Sequence, residues 1–174
     1  DIDQQRIVDA ASRYLDVPTD KPEECRKESL NSIFMDGYIP AILLLHDKKP
    51  SWLASQTDSW WARWAWYIAR EMHFDLHGER NEPKVRLFSS LVEKAWPSLL
   101  TDVVKVVQQS GDDAKSLSTR LLRQLEDQAC AGLDKALADA IDQDLVPKDR
   151  LREVAEFLIY REQGNYGFKG VSLE

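Results

Sequence analysis

The stretch WWARWAWYIAREMHFDLHGER, residues 60–80, holds four of the chain's six tryptophans, two of its three histidines and three arginines. On a helix, Trp60, Trp64, Tyr67 and Glu71 share one stripe and Trp61, Ala65, Ile68 and Met72 share the next, because residues three and four apart project from one side. With Trp66 added, the segment is apolar around most of its circumference, which is the pattern of a helix surrounded by other helices. The sequence therefore predicts a central core helix that begins at about Ser51 or Asp58 and stops at Gly78, a residue suited to the left-handed turn that ends helices. Trp52, on the approach to this helix, is the candidate surface anchor, since an indole commonly keeps one edge in water.

Outward from this helix the periodicity stays helical. Ile7, Val8, Ala11, Tyr14 and Leu15 recur at helical spacing, with Asp3 placed to cap and Pro18 to stop the run. PEECRKESLNSIFM opens with proline and two glutamates, both favourable in a first turn, and is expected to run to Gly37. IPAILLLHD has no second strand candidate to pair with and is read as a short helix from Pro40. Beyond GERNEPK, Val85, Phe88, Leu91, Val92 and Ala95 form one apolar set and Leu99, Leu100, Val103, Val104 and Val107 another; Pro97 between them either kinks one helix or starts a second. SGDDAK is the clearest break. After it, Leu117, Leu121, Leu125, Ala129, Leu133, Leu137 and Ile141 keep a four-residue spacing, which predicts one long brace from Asp113 to Gln143, about 45 Å at helical rise, weakened locally by Gly132. Pro147 opens a last helix carrying Leu151, Val154, Ala155 and Leu158, and Gly164-Asn165 closes it. The expected fold is all-α: a compact multi-helix bundle of antiparallel helical hairpins with six to eight helices. Residues 1–163 form a single domain and residues 164–174 an irregular tail.

Composition narrows the function classes. Hydrophobic residues at 43% and charged residues at 30% describe an ordinary globular chain. The longest apolar stretch, Trp60 to Ala69, is interrupted by Arg63 and is too short for a membrane span of about 20 residues. A formal charge of −7 without a long Lys/Arg run disfavours a nucleic-acid partner and favours a basic or neutral one. Cys25 and Cys130 lack CxxC spacing; they read as small core residues and fit a reducing cytoplasm. A start at Asp1 without methionine and the ending SLE suggest an excised domain, a processed chain, or a cloning scar at Leu173 and Glu174.

Three chemical readings meet at the polar end of the Trp-rich helix. His73 and His77, four apart, project from one face at a distance that suits a shared zinc ion in a hydrolase; Glu71, Glu79, Glu82 or Asp47 would supply the third ligand, though Phe74 breaks the HExxH pattern. Arg70, six intervening residues and His77 resemble the Rx4-6H pattern of the HEPN ribonucleases. That resemblance implies an all-helical bundle that dimerises into a metal-independent RNA-cleaving site. In it, His77 would act as general acid or base on the 2′-hydroxyl and Arg70 would stabilise the phosphate. Glu71 and the acidic chain depart from the pattern, since both repel RNA. The third reading is a solvated ion-pair face of Arg70, Glu71, Asp75, Glu79 and Arg80, and it is the default for charges near a helix end.

No Ser-His-Asp, Cys-His or GxSxG grouping is visible. The expectation is thus a non-catalytic, cytoplasmic protein-interaction or regulatory domain that needs no cofactor, either part of a larger protein or akin to a small acidic inhibitor or immunity protein. Its partner is another protein or another domain of a parent chain. Trp52 and the acidic residues Glu126, Asp127, Asp134, Asp139 and Asp142 are the expected contacts.

Overall fold

The computed structural model describes residues 2–27, 37–71, 82–126 and 128–167, with side chains described over 3–24, 37–71, 83–126 and 128–162. Nine helices and no strand occur among the described residues: α1 (Ile2–Asp16), α2 (Lys21–Lys27), α3 (Tyr38–Lys48), α4 (Pro50–Ala54), α5 (Asp58–Glu71), α6 (Glu82–Gln108), α7 (Asp112–Leu125), α8 (Leu133–Asp142) and α9 (Lys148–Gly167). The fold is all-α. The chain divides into two compact units, Asp1–Leu99 and Leu100–Glu174, with α6 running from the first into the second. Within α6 the backbone leaves helical geometry at Ala95, two residues before Pro97, where the proline ring excludes a regular preceding turn.

In the first unit α1 packs on α3, α2 on α5 and α3 on α4. The α5 core assignment is correct: Trp61 and every residue from Trp64 to Arg70 are buried, so this helix is enclosed on almost every side. Arg63, on its less buried side, fastens the preceding segment. Its guanidinium donates to both carboxylate oxygens of Glu23 (2.6 and 3.1 Å) and to the Thr19 carbonyl.

The second unit departs from the expected long brace. The helix breaks after Leu125 and resumes at Leu133, so the four-residue leucine spacing runs through two helices rather than one. Ala129, inside the supposed stripe, is exposed. Two local features account for the break. Gly132 takes φ +80, the left-handed region open to glycine. Arg161 of α9 donates through Nη1 to the carbonyls of Leu125, Glu126 and Gln128 at 2.7, 3.2 and 2.9 Å, and its Nε donates to Asp134 Oδ1 at 2.7 Å. The last carbonyls of α7, which a continuing helix would satisfy, are taken by a side chain instead. Together with the five-residue α4, this break raises the helix number above the expected six to eight. α9 also runs to Gly167, past the Gly164-Asn165 stop read from the sequence.

Arg150 makes a second joint of the same kind. Its side chain is 0% exposed, and it donates to Val106 O (2.7 Å), Val107 O (3.2 Å) and Gly111 O (3.3 Å). These carbonyls lie at the end of α6 and in the turn after it, near the negative pole of the helix, and Val106 O and Gly111 O also accept from the Gln109 and Lys115 amides at 3.2 and 3.0 Å. A buried cation is thus hydrogen-bonded to a helix terminus, while the Asp149 and Glu153 carboxylates favour its charge from farther off.

Candidate functional site

The Trp52 anchor sits in α4, just before the tight connection to α5. Pro50 occupies the first turn of α4, where its missing N–H costs nothing. The Trp52 carbonyl then accepts from Ser55 Oγ at 2.7 Å and from Gln56 Nε2 at 3.0 Å, which closes the short helix onto itself. Thr57 caps α5: its Oγ1 accepts from the Trp60 amide at 3.2 Å and lies 2.8 Å from Ser59 Oγ. Both Trp52 and Trp60 are half-buried, so two indoles reach solvent on a backbone fixed by side-chain caps.

Behind them runs a continuous series of rings. Trp52 meets Trp60 edge-to-face at 5.9 Å, Trp60 stacks on Trp64 at 5.7 Å, and Trp64 meets Tyr67 edge-to-face at 5.4 Å and Tyr38 at 5.2 Å. Tyr38 in turn stacks on Tyr14 at 4.7 Å. Offset and edge-to-face pairs at these distances each add about 1 kcal/mol beyond area burial. Trp61 meets Trp60 at 5.3 Å, and its indole N–H, buried, has no acceptor, a cost of about 1–3 kcal/mol that the aromatic packing offsets. The half-buried pair is thus the visible end of a rigid interior.

The other expected site residues divide. Arg70, expected on a solvated face, is only 4% exposed, with its Nε 3.7 Å from Glu71; the reason is that α5 stays enclosed to its end. His77, His73, Asp75, Glu79, Arg80, Cys25 and Asp127 lie outside the described side chains, so neither the histidine pair nor the Arg70–His77 pattern acquires a geometry. Asp47 lies 2.8 Å from Lys48 and 3.9 Å from Arg86, and the Lys48 hydrogen bond holds its carboxyl below the ordinary range. Neighbouring His46 has a buried Nδ1 with no partner; burial, then Arg86, lower its pKa against the opposing pull of Asp47. Among the described residues no group of three or more His, Cys, Asp or Glu is arranged to hold a metal ion, and no helix is long and apolar enough to cross a membrane.

Of the acidic candidates, Asp134 is engaged by Arg161 and Asp139 by Lys135 Nζ at 2.6 Å. Glu126 is half-buried at the end of α7 and Asp142 is exposed at the end of α8. Asp134 is therefore part of a helix joint, a role that periodicity does not signal; Arg150 and Arg161, equally structural, were not singled out from the sequence at all. Cys130 is buried, as a small core residue should be, and burial pushes its thiol up to about 11, far from the reactive range. Comparison with protein-family models, curated proteins and solved structures yields no match to this chain.

Proposed function

We propose that the chain is a protein-interaction module whose anchor is the Trp52–Trp60 edge. One observation carries this reading: two half-buried indoles in edge-to-face contact, on capped backbone, backed by buried Trp61, Trp64 and Tyr67. Binding energy in protein interfaces concentrates on such rigid aromatic anchors, because few rotamers are lost and much apolar area is covered. Gln56, Thr57 and Ser59 supply a polar rim around the rings, as interface anchors commonly have. The net charge of −7 steers a basic partner toward the chain, and exposed Asp142 belongs to that field.

The test compares native-source pull-downs by the full chain and by Trp52→Ser, with far-UV circular dichroism to establish equal helicity. The expected result is a stoichiometric protein retained by the wild type and lost with Trp52→Ser. Recovery of the same proteins in equal yield by both would overturn the reading.

A further inference from the structure

The rings of the first unit touch in a line whose two ends both reach solvent. Trp52 on α4 and Trp60 on α5 are half-buried and meet at 5.9 Å. Trp64, one helical turn on from Trp60, is 2% exposed and stacks on it at 5.7 Å. Tyr38 of α3 lies 5.2 Å from Trp64, and Tyr14 of α1 stacks on Tyr38 at 4.7 Å. Tyr14 is 39% exposed. Every member is an indole or a phenol, the side-chain rings most readily stripped of a single electron; phenylalanine, which resists that loss, is absent from the line.

Electron tunnelling falls exponentially with the gap between donor and acceptor, and rings at these centroid distances are in contact. An electron vacancy made at one end therefore passes along the line. Its direction is set by the proton. An indole radical cation is a stronger oxidant than a phenol that releases its proton to water as it loses an electron, so the vacancy runs downhill from the tryptophans to a wetted tyrosine. Of the three tyrosines in the cluster, Tyr67 is 0% exposed and Tyr38 is half-buried, which leaves Tyr14 as the terminus. Trp61 branches off at Trp60, and its buried indole N–H has no acceptor, so a vacancy that strays there is not trapped by proton loss.

We infer that the ring series is a one-electron relay from Trp52 to Tyr14. An oxidant of the high-valent metal class that meets Trp52 is reduced by one electron, and the vacancy left on the indole is filled in turn from Trp60 and Trp64. Trp64 draws its electron from Tyr14 across the Tyr38 ring between them. Tyr14 loses that electron, its phenol proton passes to water, and a neutral tyrosyl radical remains on α1. A soluble enediol reductant returns one electron and one proton and restores the phenol. The relay goes beyond partner binding and does not rest on that reading.

The test places the oxidant at one end and locates the radical at the other. A ruthenium polypyridyl photo-oxidant is attached at Ser51→Cys, an exposed position beside Trp52, in the full chain carrying Cys25→Ser; Cys130 is buried. After flash oxidation with a sacrificial electron acceptor, a nitroso spin trap marks the radical and peptide mass mapping finds it. The expected result is an adduct on Tyr14 in this parent chain. Trp64→Phe and, at a half-buried position, Trp60→Phe should each abolish the Tyr14 adduct and leave adducts on Trp52, with far-UV circular dichroism to establish an intact fold. Tyr160, 54% exposed and outside the series, should be marked equally in every chain by the same oxidant free in solution, which calibrates the trap. A parent chain without the Tyr14 adduct, or an undiminished Tyr14 adduct in folded Trp60→Phe, would overturn the inference.

Discussion

The two units solve the same problem, holding short helices together, with different materials. The first relies on rings: from Tyr14 to Trp52, side chains on α1, α3, α4 and α5 touch in one unbroken series. The second relies on guanidinium groups: buried Arg150 and half-buried Arg161 reach from α9 to the carbonyl ends of α6 and α7. Ring packing is spread over many weak contacts, so its loss scales with the volume removed. A guanidinium concentrates the same role in a few hydrogen bonds, and its removal takes a donor from several carbonyls at once.

The largest effect that would test this contrast comes from Trp64→Ala. Trp64 is 2% exposed and touches Trp60, Tyr38 and Tyr67, so its truncation should cost about 4 kcal/mol by transfer and cavity together. Urea unfolding followed by tryptophan fluorescence reads this directly, because all six tryptophans lie in the first unit. A loss below about 1 kcal/mol would mean that the rings repack freely and do not form a rigid backing.

Arg150→Met comes next. The methionine keeps much of the buried volume but donates no hydrogen bond, so Val107 O loses its side-chain donor while Val106 O and Gly111 O keep only the Gln109 and Lys115 amides; a loss of about 2 kcal/mol is expected in urea unfolding followed by far-UV circular dichroism. If Arg150→Met is neutral or stabilising, the carbonyls are satisfied in another way and the contrast between the units fails.

The smallest effect is a pH dependence in the first unit. The folded-state pKa of His46 lies below its ordinary value of 6.5, so the unfolded chain binds the proton more readily. The stability that neutral, half-buried His46 contributes is therefore complete above about pH 6.5 and is lost as pH falls below it toward the lowered folded value. His46→Gln should flatten that part of the stability curve relative to wild type, and parallel curves for the two proteins would refute the burial argument.

Periodicity made the first unit legible. Trp61, Trp64 and Ile68 announce a buried helix because apolar side chains at helical spacing have a direct geometric meaning. The same cue misled in the second unit: Leu125, Ala129 and Leu133 keep step across a turn, since spacing by four registers neither the left-handed Gly132 nor a distant arginine that replaces the next turn's donors. It also over-assigned α1, where Ile7 and Tyr14 share the pattern of Val8 and Leu15 without sharing their burial. Trp52 is half-buried, and the bond from Arg161 to Asp134 has no sequence signal, because a carboxylate on an amphipathic helix looks solvated until another helix is packed beside it.

The reach of the two arginines has a consequence for how the protein is made. Arg150 stands 44 residues after Val106 and Arg161 stands 36 after Leu125. On a ribosome, α6 and α7 emerge first, and the arginines that bond their last carbonyls follow only with α9. The second unit gains these side-chain contacts only after α9 has been made, and a chain halted before Arg150 closes α6 and α7 with the Gln109 and Gln128 amides alone.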